Sequence, residues 1–437
     1  MTGSLAAGMD AQLILSLTCV LLTPLASAGL MLVNTGLGRS RNAAHMVLSS
    51  VAVCGVAVVA YFVCGLAVQS FAGAPAHSVM IQGKAWNLIG GGSFFFLDLR
   101  DEDVRKPVIA LFQMFCVMIA AIIPLGAAEE RWKLSASFLS TALLAGIVYP
   151  LFAHWVWGGG WLSQLGSNYG MGRGFLDAGG SGTIQCLGGV AGLAMTWLLG
   201  PRQGKYSSDG MPAAIPGHNI VYALFGCALA LVGWVALNSA GALLFYDVAA
   251  GHVATIAINT ILCCTFSLLC AGAITRWRFG KPDASLCANG FIGGLVASSA
   301  SCAWVSPTSA AFIGMVTGVI VPYAVEIFEL RLAVDDPGGS VSVHALCGIW
   351  GLMAVAFLGN TRTATAPAAG QWLSQLIGVA TLIGFVLPLC YGLNWLLDRF
   401  VPQRVARDAE RYGLDIHELG AGAYPDFVAH SDDYMQR

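Results

Sequence analysis

The sequence predicts an all-α polytopic membrane protein of about eleven transmembrane helices, built as an inverted repeat of spans 1–5 and 6–10 followed by an eleventh span. Three observations carry that prediction. Only 10% of the 437 residues are Asp, Glu, Lys or Arg and 57% are apolar, whereas a water-soluble chain carries about 25% charge. Apolar stretches of roughly 20 residues recur, long enough to cross a hydrocarbon core about 30 Å thick. A Gly-rich motif returns at an offset of 159 residues.

The first half holds apolar stretches at 11–34, 45–69, 107–128, 136–157 and 182–199. The second holds 218–237, 253–275, 286–302, 309–330 and 341–358, and an eleventh stretch follows at 373–397. The chain therefore reads as a membrane domain, 1–398, with halves of about 11–199 and 218–358, and a charged tail, 399–437. Its 54 glycines fit, since small residues let membrane helices approach closely. The first stretch contains Ala26-Ser27-Ala28, as a cleaved signal peptide could, but no basic segment precedes it, which argues against cleavage.

Lys and Arg collect on the cytoplasmic side of short loops. Placing the N-terminus outside and the C-terminus in the cytoplasm leaves only Lys84, Arg100, Arg105, Lys106, Arg173 and Arg362 outside, with the other 15 of the 21 Lys and Arg, Arg437 among them, inside. The 13 cysteines show no metal-ligand spacing and read as small buried hydrophobes. No metal or cofactor is expected. No nucleic-acid motif, phosphate loop or nucleophile with a base at usable spacing is visible, so neither nucleic-acid binding nor an enzyme is expected.

The repeat aligns Asp177-Ala-Gly-Gly-Ser-Gly-Thr-Ile-Gln185-Cys-Leu-Gly-Gly-Val-Ala-Gly-Leu193 with Asp336-Pro-Gly-Gly-Ser-Val-Ser-Val-His344-Ala-Leu-Cys-Gly-Ile-Trp-Gly-Leu352, identical at eight of 17 positions. The copies fall on spans five and ten, so they cross the bilayer in opposite directions, and inverted repeats place a transport path at their interface near the midplane. Gln185 and His344 are the facing pair. A polar group inside an apolar helix is costly and marks a functional site, although a helix-bridging hydrogen bond would use the same residues. Asp177 and Asp336 each precede a helix start whose free N–H groups a carboxylate can cap. Asp177 could also draw cations at the outer face.

These motifs, with Phe112-Gln113, Glu130-Arg131, Ala153-His154-Trp155-Val156-Trp157-Gly158-Gly159-Gly160, Gly233-Trp234 with Asn238, Gly280-Lys281-Pro282 with Asn289-Gly290, Val334-Asp335-Asp336-Pro337, and the tail Gly413 to Glu418 ending Ala423-Tyr424-Pro425-Asp426, resemble the ammonium transporter/Rhesus family. The likeness runs from about residue 11 to residue 427 and is closer to the Amt branch, chiefly through the tail. It implies a homotrimer in the plasma (inner) membrane with one pore per subunit. Each pore would recruit ammonium in an outer vestibule, remove its proton and pass ammonia between two facing histidines. The cytoplasmic tail would regulate conduction, often with a PII-type signal protein. Trp157 matches a vestibule ring that holds a cation on its face, and Phe112 matches a vestibule phenylalanine; packing alone would account for either. Phe112, Trp157, Gly241 and Asp177 form the implied vestibule set.

Departures from the family pattern gather on the path. Gln185 replaces the first pore histidine, Cys116 and Leu237 replace two gating phenylalanines, Gly241 replaces a vestibule serine, and Val33-Asn34-Thr35-Gly36 replaces a Phe-Tyr-Gly-Gly signature. Glutamine can hydrogen-bond a histidine but does not exchange protons near neutrality, so altered proton coupling is expected along the pore set Gln185, His344, Cys116 and Leu237. A sensor that binds ammonium without conducting it, or a carrier of another small amine or polar solute, are the alternatives.

Overall fold

A computed structural model describes residues 2–100, 103–360 and 370–424, with side chains from residue 11 on except that of Arg100. Arg362 and Arg437 of the charge pattern and Pro425-Asp426 of the tail motif lie outside the described residues.

Long helices follow the expected order: α1 Ala11–Leu37, α2 Ser40–Gln69, α3 Arg105–Ala128, α4 Leu134–Val156, α5 Ser181–Leu199, α6 Ile220–Phe245 and α7 Ala250–Phe279. After α8, Ala284–Ser301, come α9 Pro307–Leu332, α10 Ser340–Leu358 and α11 Gln371–Phe400. Among the described residues, ten helices are long and apolar enough to cross a membrane. The one outside that set is α8. Its 18 residues span about 27 Å at 1.5 Å each, but serines, glycines and an asparagine dilute its hydropathy. Those groups are spent inside the bundle: Ser299 accepts from Trp234 Nε1 at 2.9 Å, and Ser298 from Asn238 Nδ2 at 3.2 Å. A helix walled by protein has no need of a lipid-facing apolar surface.

Helix ends follow local chemistry. Asn219 caps α6 through the Tyr222 N–H, Asp283 caps α8 through the Leu286 N–H, and Ser306 caps α9 ahead of Pro307. Helices α1 and α6 pack backbone to backbone where Gly29 meets Gly226: a Cβ on Gly29 would stand 2.6 Å from the Gly226 carbonyl oxygen.

Between α2 and α3 the chain forms an antiparallel hairpin, β1 Ala76–Ile81 and β2 Lys84–Gly90. Gln82 and Gly83 both have left-handed φ, +51° and +75°, as a tight two-residue turn demands. Trp86 anchors the hairpin by packing against Trp161 and Tyr169.

The tail folds back on its own chain. Asp415 caps the start of α2, accepting from the Ala44 and His45 N–H groups at 3.2 and 2.7 Å, and Glu418 meets His45 Nε2 at 2.7 Å. Tyr424 reaches His218 Nε2 at 3.0 Å.

Candidate functional site

The repeat takes the same local form twice. Gly180 and Gly339 adopt left-handed φ of +87° and +74°, conformations that suit glycine, and each opens into a π-helical turn, Ser181–Cys186 and Ser340–Ala345. Asp177 Oδ2 accepts from the N–H groups of Gly182 and Thr183 and from the Thr183 hydroxyl, at 3.0, 2.7 and 2.8 Å. Asp336 Oδ2 does the same with Val341, Ser342 and the Ser342 hydroxyl, at 2.9, 2.9 and 3.0 Å. Both carboxylates are therefore helix caps.

The two copies run antiparallel. A Cβ on Gly189 would meet the Ser340 carbonyl at 2.7 Å and one on Gly348 the Ser181 carbonyl at 2.6 Å, so the middle of each helix rests on the start of the other. At the centre of this crossing His344 Nδ1 lies 2.8 Å from Gln185 Oε1, with both side chains buried. The Nδ1–H donates, which fixes the histidine tautomer with its proton on Nδ1. Gln185 Nε2, equally buried, has no hydrogen-bond partner among the described residues. Cys116 and Leu237 are fully buried as well. The Cys116 thiol stands beside Tyr149, whose hydroxyl donates to Gln113 Oε1 at 2.6 Å.

At the hairpin end of the bundle a cavity of about 520 Å³ is lined by Ser70, Phe71, Arg105, Trp157, Phe245 and Asp247, among others. Trp157 is held by its Nε1–H, which donates to the Asp177 carbonyl at 2.9 Å. Phe245 stacks on Trp157 with ring centroids 4.8 Å apart and planes at 11°, and Phe112 sits behind at 5.8 Å from Phe245. Of the four residues the sequence grouped as a vestibule, only Trp157 lines this cavity. Phe112 lies beneath it, Asp177 is spent on its cap, and Gly241 packs so closely on Ala178 that a Cβ would overlap the Ala178 carbonyl. Sequence reasoning missed Phe245. It stands four residues after Gly241, one turn along the same helical face, and that spacing was the available signal.

The opposite end carries a buried ion cluster. Arg202 grips Asp335 with two arms, Nε to Oδ2 and Nη2 to Oδ1, both at 2.9 Å, and reaches Glu130 at 3.2 Å; Arg39 also pairs with Glu130. Arg131 donates to the carbonyls of Gly200, Glu129 and Asp335 at 2.7, 3.1 and 2.8 Å. Burial alone would raise the Asp335 carboxyl, but the Arg131 and Arg202 guanidiniums outweigh it and hold it at about 2. Burial, reinforced by Glu130, pushes Glu129 well above the usual carboxylate range.

With this geometry in place, the sequence model described as the Ammonium Transporter Family matches residues 13–424. The chain belongs to the ammonium transporter family. Among its relatives in that family, ammonium transporter Amt2 of Archaeoglobus fulgidus is 35% identical over 94% of this chain and 88% of its own length. The Bacillus subtilis ammonium transporter is 30% identical over 93% and 97%. Among solved structures, one titled Sensor Amt Protein superposes with a TM-score of 0.85 at 25% identity, covering 94% of this chain and 99% of its own. Candida albicans Mep2 shares the fold at a TM-score of 0.74, 20% identity and coverage of 91% and 87%. The helical, multi-span architecture expected from the sequence is therefore that of the ammonium transporter fold.

Proposed function

We propose that this protein transports ammonium across a membrane, passing it as ammonia through the crossing of α5 and α10 in each subunit. The carrying observation, beside family membership, is the buried Gln185–His344 pair with its unpartnered Gln185 Nε2. Ammonia has one lone pair and accepts a hydrogen bond where a bare ammonium ion would meet an unpaired buried donor. In this reading Trp157 recruits the cation by its ring face, and Cys116 and Leu237 leave a wider path than two phenylalanines would. Gln185 does not relay protons, so the coupling of charge to ammonia is weaker than between two histidines.

The cavity end faces outward and the tail end faces the cytoplasm, a placement supported by Arg39, Arg131, Arg202 and Arg404 gathering at the tail end. The host membrane is the plasma (inner) membrane. Three copies assemble through the membrane domain 1–398, and the tail 399–437 offers a PII-type signal protein its contact. Proteoliposome uptake with simultaneous current recording tests the transport reading. Ammonium uptake is expected with little ammonium-evoked current, and Gln185→His is expected to increase that current. Current unchanged by Gln185→His would sink the coupling argument, and no uptake at all would sink transport.

A second reading, ammonium sensing, gains support from the 25% likeness to a structure titled as a sensor and from the tail lying against α2. Saturable ammonium binding without uptake would favour it. Competition with labelled methylammonium separates both from carriage of another small solute.

A further inference from the structure

Trp157 and Phe112, the two rings offered to a cation, are 5% and 0% exposed. A cation–π contact needs the ion over the ring face within about 6 Å of its centroid. Phe245 occupies that space over one face of Trp157. It is the half-buried ring that meets the cavity, stacked on Trp157 at 4.8 Å and tilted against Phe112 at 5.8 Å. A substrate arriving from the cavity, which Trp157 also lines, reaches the stacked face of that ring only when the phenyl moves.

The backbone around Phe245 is pinned on both sides. Arg105 Nη2 lies 3.5 Å from both the Leu244 carbonyl oxygen and Asp247 Oδ1. The Tyr246 hydroxyl accepts from the Asp177 N–H at 2.9 Å, and the Tyr246 ring meets Trp304 edge-on at 5.1 Å. Asp247 closes the segment in a left-handed conformation, φ +48°. With its neighbours fixed, the part of residue 245 left to move is the side chain, and rotamer changes of that kind are fast.

We infer that Phe245 is a lid over the Trp157 ring, a specificity-determining residue that must swing aside for a cation and so sets both apparent affinity and the largest amine admitted. For its substrate this inference rests on the ammonium reading; the lid itself rests only on ring geometry. Its position fits the loss of the two aromatic gates at Cys116 and Leu237, since Phe245 lies eight residues beyond Leu237 on the same helix and closes the path nearer the cavity.

Two measurements test it. In proteoliposomes, Phe245→Leu and Phe245→Ala are expected to lower the half-saturating ammonium concentration about two- to tenfold, the range that aromatic pair energies imply. The ratio of methylammonium to ammonium uptake should rise, while Phe245→Tyr keeps parental values. Independently of substrate, acrylamide quenching of Trp157 fluorescence, taken as the difference between each protein and its Trp157→Phe counterpart, should rise about twofold or more in Phe245→Leu and Phe245→Ala. Quenching that stays at the parental level in both variants overturns the lid. A higher half-saturating concentration also overturns it, because Phe245 would then be a wall that holds the substrate. Raised quenching in a protein that takes up no ammonium would uphold the lid and reject the ammonium reading.

Discussion

The crossing of α5 and α10 and the ion cluster beside the tail are both buried, yet they treat polar groups in opposite ways. At the crossing, Asp177 and Asp336 each leave one carboxylate oxygen unpaired, and Gln185 leaves its amide nitrogen unpaired. At the cluster, both oxygens of Asp335 are taken by Arg202, Glu130 lies between Arg39 and Arg202, and Arg131 spends its donors on three carbonyls. Glu129 Oε2 is the unpaired carboxylate oxygen there, on a group whose carboxyl burial and Glu130 push well above the usual range. The difference teaches where motion is allowed. Charged groups are locked to one another at the cluster, while at the crossing, the proposed path, two capping carboxylates and one amide are left half-satisfied.

The largest effect should come from breaking the cluster. Arg202→Met strips Asp335 of two hydrogen bonds and Glu130 of one partner while leaving both carboxylates buried, a change that costs about 3–5 kcal/mol. The melting temperature of the solubilised protein should fall further than in any variant below, and adding Asp335→Leu should recover part of the loss. Melting within a degree of the parent would show that the cluster does not hold the scaffold.

Acid should find the same weakness. The Asp335 carboxyl is held at about 2, below its value in an unfolded chain, so the folded state is favoured by its ionised form. That contribution, about 2 kcal/mol, is complete above pH of about 4 and disappears as pH falls through about 2. Thermal melts at pH 5 and pH 3 should therefore differ in the parent and differ less in Asp335→Asn. An equal slope in both proteins would assign acid sensitivity to another group.

Smaller effects are expected from the caps. Asp177→Ala and Asp336→Ala each remove one carboxylate that serves two backbone N–H groups and a hydroxyl, for about 1–2 kcal/mol each. Matching geometry in the two halves makes the losses similar. Losses that differ by more than about 1 kcal/mol would show that the halves are not energetically equivalent.

Much of this was legible in the sequence, for physical reasons that name the limits. Span positions follow from hydropathy, and the pairing of Gln185 with His344 follows from the 159-residue offset, because both signals are local or self-referential. Helix α8 tested the first signal: it lies on the expected stretch 286–302, but its serines, glycines and asparagine keep it outside the ten helices apolar enough to cross a membrane, and neighbouring helices satisfy its polar groups. The ion cluster draws Arg39, Glu130, Arg202 and Asp335 from four distant segments, and nothing in one sequence says which charges meet. Phe245 escaped for a related reason. A phenylalanine at the end of an apolar helix reads as packing until the stack on Trp157 is seen.

The smallest change should come from Gln185→Met, and its smallness is informative. The substitution keeps side-chain length and removes both amide atoms. Losing Oε1 leaves the His344 Nδ1–H without its acceptor, which by itself costs about 1–3 kcal/mol. Losing Nε2 removes a buried donor that had no partner, and that relief is of similar size and opposite sign. The net effect on melting should therefore stay within about 1 kcal/mol of the parent, while on the proposed path ammonium uptake is expected to fall. A loss of several kcal/mol would mean that Nε2 is firmly held in the native protein. The crossing would then be as fully satisfied as the cluster, and the contrast between a locked end and a permissive centre would fail.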